Sequence, residues 1–123
     1  MTASKASEAP PDGFYDAKVE RARVGKTVFG DESVLHYVEI RFSLTSGAYR
    51  GRLFEWKEWL TAGGMMFLAP TLVECGLRGS DPSNVSGLVG SCVRIELYTI
   101  ECVEAPGIVK TCVGTVSARR EQE

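Results

Sequence analysis

Histidine is nearly absent from this chain, and with it much of the usual apparatus of metal binding and proton transfer. The 123 residues contain one histidine, His36, and four cysteines: Cys75, Cys92, Cys102 and Cys112. No two cysteines form a C-x-x-C pair, so the close-spaced ligands of a zinc site are missing. No apolar run approaches the roughly 20 residues of a membrane helix. The opening residues, Met1-Thr2-Ala3-Ser4-Lys5-Ala6-Ser7-Glu8-Ala9-Pro10-Pro11, lack the apolar centre of a secretory signal. A cytoplasmic protein is therefore expected. An even cysteine count allows disulfides, but a reducing compartment favours free structural thiols, with Cys92, Cys102 and Cys112 packed inside strands as small hydrophobes.

Neither sign of charge dominates. Fourteen Lys and Arg face sixteen Asp and Glu, a formal net charge of −2, which gives no long-range pull on a polyanion. A slight basic excess over residues 14–60 is offset by an acidic one beyond them. Catalytic signatures are missing as well. Gly25-Lys26-Thr27 ends like a phosphate-binding loop, but Glu20 stands where the upstream glycine belongs and no helix follows. No nucleophile elbow is present. The expectation is a non-enzyme with neither metal nor cofactor.

What the chain does have is alternation. Val34, His36, Val38, Ile40, Phe42 and Leu44 fall on every second position, with Tyr37, Glu39, Arg41 and Ser43 between them. Side chains of a strand point alternately to its two faces, so this is one apolar and one polar face, and His36 is expected in the core. Ser46-Gly47-Ala48-Tyr49-Arg50-Gly51 is a glycine-rich turn. Arg52 to Leu60 follows as a second strand rich in rings and charge, which makes residues 34–60 a hairpin. Trp56 and Trp59, three apart, must point to opposite faces, and the pattern leaves open which of them faces out.

The rest of the chain is arranged around that hairpin. Residues 1–12 form a polar, disordered lead. Phe14 to Val24 is a long first strand whose alternation weakens at Arg21-Ala22-Arg23-Val24, a sign of a bulge or bend. Residues 25–32 make a first loop carrying Lys26 and Phe29. A helix is predicted over 61–77, with Thr61 as N-cap and Gly76 as C-terminal cap, kinked or split at Pro70. A helical turn runs from Asp81 to near Gly87. Strands follow at 91–101 and 108–117, joined by a turn at 104–107, and residues 119–123 are a polar tail. Five strands with one helix between the third and fourth are the elements of an OB-fold barrel (β-β-β-α-β-β), spanning residues 13–118 as one domain. Another mixed antiparallel sheet with one packed helix is the alternative.

An OB barrel binds ligands over its second and third strands and its first and last loops. Here those elements carry Lys26, Phe29, Tyr37, Arg41, Tyr49, Arg50, Arg52, Trp56, Lys57 and Trp59. Rings that stack on bases beside cations that hold phosphates are the chemistry of single-strand binding. The same residues also serve structure: Tyr49 can pack on a neighbouring strand, and Arg41 can pair with Glu39.

Gly13-Phe14-Tyr15 opening the first strand and Gly47-Ala48-Tyr49-Arg50-Gly51-Arg52-Leu53-Phe54 at the hairpin resemble motifs of a phage-associated family long listed as a domain of unknown function. Cys75-Gly76-Leu77, Asp81-Pro82 and the glycines Gly87 and Gly90 are similar to its later passage. The resemblance implies an OB-like single-stranded DNA-binding protein of phage or prophage type, working beside replication and recombination proteins, with a homo-oligomer among the possibilities. The alternative from another class is a protein-interaction or oligomerisation module in a replication, recombination or defence complex, its aromatic hairpin a docking surface.

Overall fold

A computed structural model describes residues 10–77, 82–101 and 107–118. The expected lead (but for its last three residues), the tail at 119–123, Cys102, Asp81 and most of the turn at 104–107 lie outside them.

The strands are β1 (Gly13–Val28), β2 (Val34–Leu44), β3 (Leu53–Trp59), β4 (Cys92–Glu101) and β5 (Val109–Ala118), with one helix, α1 (Ala62–Glu74), between β3 and β4. A short 3-10 helix at Pro82–Leu88 precedes β4. All five strands join one antiparallel sheet in the order β3-β2-β1-β4-β5. The long first strand is central: residues 13–18 pair with β4 and residues 17–28 with β2.

The weakened alternation in β1 has a local cause. The β2 ladder runs Val19↔Phe42 and then Arg21↔Arg41, so Glu20 is an extra residue opposite no partner. That bulge resets the phase. Ala17 and Val19 point inward before it and Ala22 after it, and all three are buried. Arg21, Arg23 and Gly25 are thereby turned to the outer face.

The core holds Val38, Ile40, Phe42 and Leu44 of β2, Val93, Ile95 and Leu97 of β4, and Leu68, Leu72 and Cys75 from α1 and its end. The Thr61 hydroxyl accepts the Gly64 N–H at 3.0 Å and caps the helix start. At the other end Gly76, at φ +103°, allows the Leu77 N–H to reach the Leu72 carbonyl and its own N–H to reach that of Val73, both at 2.9 Å. The helix runs through Pro70 as one element rather than two, with Leu68 and Leu72 anchored on either side of the proline.

Three expectations need correction. The sheet is open rather than closed into a barrel: β3 and β5 are its edges, and although they approach each other and α1 packs on both, no ladder joins them. Carboxylates occupy donors along the β5 edge. A bulge in β5 between the pairs Ile95↔Val116 and Leu97↔Val113 brings Glu96 over Gly114. There Glu96 accepts the Thr115 N–H at 3.3 Å, and Glu74 accepts the Ala118 N–H at 2.8 Å. Filling edge donors with side-chain oxygens is a known way to stop strand addition.

His36 is exposed, not in the core. The β1–β2 ladder runs on past the packed region to Val28↔Val34, and alternation continues where burial does not. Cys92 is exposed because it begins β4 on the outer phase, with Arg94; Cys112 is half-buried, and Cys75 is the fully buried thiol among the described residues. Burial pushes the Cys75 thiol up to about 12. No helix among the described residues is long and apolar enough to cross a membrane.

Candidate nucleic-acid interface

Register decides what the outer face of β1, β2 and β3 displays. Three cross-strand rows follow from the ladders: Gly25–Tyr37–Trp59, Arg23–Glu39–Lys57 and Arg21–Arg41–Glu55. The first row is aromatic because Gly25 has no side chain. A Cβ there would lie 2.5 Å from Tyr37 Cζ, so the Tyr37 ring rests on the glycine backbone.

Tyr37 meets Trp59 edge to face, with ring centroids 5.7 Å apart, and Phe29 lies 6.4 Å from Trp59. The loop that delivers Phe29 is held from within. Its N–H bonds the Ser33 carbonyl at 2.9 Å, and Asp31 accepts from the Ser33 N–H and hydroxyl at 3.0 and 2.6 Å. Those two bonds hold the Asp31 carboxyl below its ordinary range. The Lys57 ammonium sits 4.4 Å from the Tyr37 ring centroid and 5.1 Å from that of Trp59. No carboxylate pairs with Lys57 among the described residues, so its charge is held by rings alone.

The remaining rows are ionic. Glu39 takes Arg23 at 2.8 Å and Arg21 at 3.5 Å, and Glu55 takes Arg41 through Nε at 3.0 Å and Nη2 at 2.7 Å. The hydrogen bond to Glu39 raises the Arg23 pKa above its ordinary value. The four cations of these rows outnumber the two carboxylates, so the face keeps a positive excess inside an acidic protein. Arg41 is paired with Glu55 across β3, not with Glu39 of its own strand.

Farther along, the hairpin turn is closed by the Gly51 N–H on the Leu44 carbonyl at 2.8 Å. Arg50 and Lys18 border a hollow of about 170 Å³ there. From Tyr37 to Ser43 is six strand steps, about 20 Å at 3.3 Å per residue. Cations therefore recur along the whole length of the outer face.

Of the expected residues, the fold gathers Phe29, Tyr37, Lys57 and Trp59 into one cluster, with Arg41 beside it and Arg50 at the far end. Tyr49 packs against the core, with the Arg52 guanidinium 5.9 Å above its ring. Trp56 opposes Ile40 on the inner side of β3, and Lys26 opposes His36 on the inner side of the β1–β2 arm; neither joins the cluster. Sequence reasoning missed Arg21 and Arg23, whose signal was their spacing of two from each other and from Gly25.

No family model matches this chain. A search of curated proteins finds no match either.

Proposed function

We propose that the protein, one of phage or prophage type, binds single-stranded nucleic acid, DNA in the first instance, on the outer face of β1, β2 and β3. The Phe29–Tyr37–Trp59 cluster stacks bases, and Lys57 with the surplus arginines holds phosphates. The observation that carries this reading is the Lys57 ammonium lying over two mutually packed, half-exposed rings with no carboxylate paired to it among the described residues. The strand order β3-β2-β1-β4-β5, with α1 after β3, supports an OB-type fold opened at the β3/β5 seam. In that fold the second and third strands and the first loop form the binding surface. The short glycine-led motifs resemble those of the phage-associated family, and the same proposal extends to a cytoplasmic location and a place beside replication or recombination proteins.

The chain has two tryptophans, so Trp56→Phe leaves Trp59 as the sole indole reporter. A thymidine 30-mer at low salt quenches its fluorescence, and the quenching weakens as salt rises. Trp59→Ala, followed by filter binding, weakens affinity roughly 5- to 150-fold, the equivalent of about 1–3 kcal/mol for one stacked base. Absence of quenching at low salt, or equal affinity in the Trp59→Ala protein, overturns the proposal.

A further inference from the structure

The β1–β2 arm has a second face, and nothing among the described residues covers it. Val24, Lys26 and Val28 of β1 and Val34 and His36 of β2 all lie on the inner phase of the ladder, beyond the point where the core ends. All five are exposed, Val28 by 60%. Lys26 has no ion-pair partner among the described residues. An apolar strip carrying an unpaired ammonium is half of a contact.

The other half is at the seam between β3 and β5. A groove of about 420 Å³ opens there, floored by Trp56, Met66, Phe67 and Pro70. Met66 and Phe67 are 75% and 65% exposed although they sit in the middle of α1. Glu58, Glu74 and Glu96 ring the groove. Each accepts one backbone N–H, from Trp59, Ala118 and Thr115 respectively, and none meets a cation among the described residues. Their charge repels a polynucleotide and suits a basic, apolar ligand.

We propose that the occupant of this groove is the β1–β2 arm of a second copy of the chain. Val24, Val28 and Val34 cover the apolar floor, and Lys26 enters the ring of carboxylates. Both surfaces are built on regular structure: the arm is laddered to its tip at Val28↔Val34, and the groove is lined from a helix and two strands. Pairing one patch with an unlike patch leaves the outer face, with Phe29, Tyr37 and Trp59, turned away from the contact. The inference is therefore independent of the nucleic-acid reading. It also gives Lys26 a role that its position in the fold denies it at the aromatic cluster.

The test uses the full chain and light scattering after size exclusion, from micromolar to millimolar concentration. Wild-type protein exceeds the 13.4 kDa of one chain as concentration rises. The arm variant Lys26→Glu/Val28→Asp and the groove variant Phe67→Lys each run as single chains. Mixed in equal amounts they recover a two-chain particle, because one supplies an intact groove and the other an intact arm. Met66→Lys serves as the groove variant if Phe67→Lys does not fold by circular dichroism. Three results overturn the proposal: a wild-type chain that stays monomeric throughout, which leaves the groove to a basic segment of another protein; a single variant that assembles like wild type; and a mixture that stays monomeric, which means that like patches pair.

Discussion

Replacing Gly25 by alanine tests whether the aromatic row is organised as described. Gly25 is not among the residues with positive φ, so alanine fits its backbone without strain. The obstacle is Tyr37 alone. The new Cβ would stand 2.5, 2.6 and 2.8 Å from Cζ, the hydroxyl and Cε1, where ordinary contact begins near 3.4 Å, so the ring must retreat by about 1 Å. Retreat disturbs its edge-to-face contact with Trp59, of order 0.5–1.5 kcal/mol, and its contact with the Lys57 ammonium, about 0.5–1 kcal/mol at an exposed site. Against that, alanine restricts the unfolded chain and stabilises by about 0.4–1 kcal/mol. The net expectation for Gly25→Ala is a loss of about 0.5–1.5 kcal/mol. In a Tyr37→Ala background the obstacle is gone, and the same substitution should change sign and stabilise by about 0.4–1 kcal/mol. Urea denaturation of the four proteins in this cycle measures the coupling, and near-ultraviolet circular dichroism follows the rings. Equal destabilisation by Gly25→Ala in both backgrounds would refute the reasoning, because it would mean that the backbone and not the ring requires glycine.

Two further substitutions probe the frame. Gly64→Ala gains helix propensity of about 1 kcal/mol but drives a Cβ into the Trp59 carbonyl oxygen, which is backbone and cannot swing aside. A net loss of at least about 1–3 kcal/mol in denaturant is expected, and neutral behaviour would contradict the packing of α1 on the end of β3. Cys75 gives a pH dependence. Its thiol ionises near 9.0 when unfolded and is pushed up to about 12 when folded, so its contribution is intact below 9.0 and declines as pH rises toward 12. At pH 10 the decline amounts to about 1.4 kcal/mol, and Cys75→Ala should lose that slope relative to wild type; parallel stability–pH curves would contradict it.

How far the sequence could be read depends on which interactions are local. The alternation of Val38, Ile40, Phe42 and Leu44 gave β2 its inner face, and Thr61 and Gly76 gave α1 its ends, because period and capping are written within a few residues. His36 continues the same alternation and is exposed, since period says which way a side chain points and not how far the core reaches. That Trp56 and Trp59 face opposite ways is legible, but the choice of Trp59 for the outer face comes from its pairing with Tyr37, a property of two strands together. Arg41 finds Glu55 rather than Glu39 for the same reason. The bulge at Glu20 left its trace in the broken pattern after it, and reading its phase correctly would have placed Arg21 and Arg23 on the outer face. At the open seam between β3 and β5, Glu96 reaches over Gly114 to the Thr115 N–H, a contact that no pattern within either segment announces.

The double pairing of β1 also sets the order in which this chain can acquire its structure. Its second half finds β2 almost at once, since Val28 and Val34 are neighbours across a short loop. Its first half, residues 13–18, must wait for residues 92–97, a closure spanning 74 residues at its inner end, from Lys18 to Cys92. During synthesis that partner does not exist until residues 92–97 have been made, and until then one side of residues 13–18 stays bare. Chains dominated by such distant pairings fold slowly, so the final docking of β4 on β1 should be the step that limits refolding.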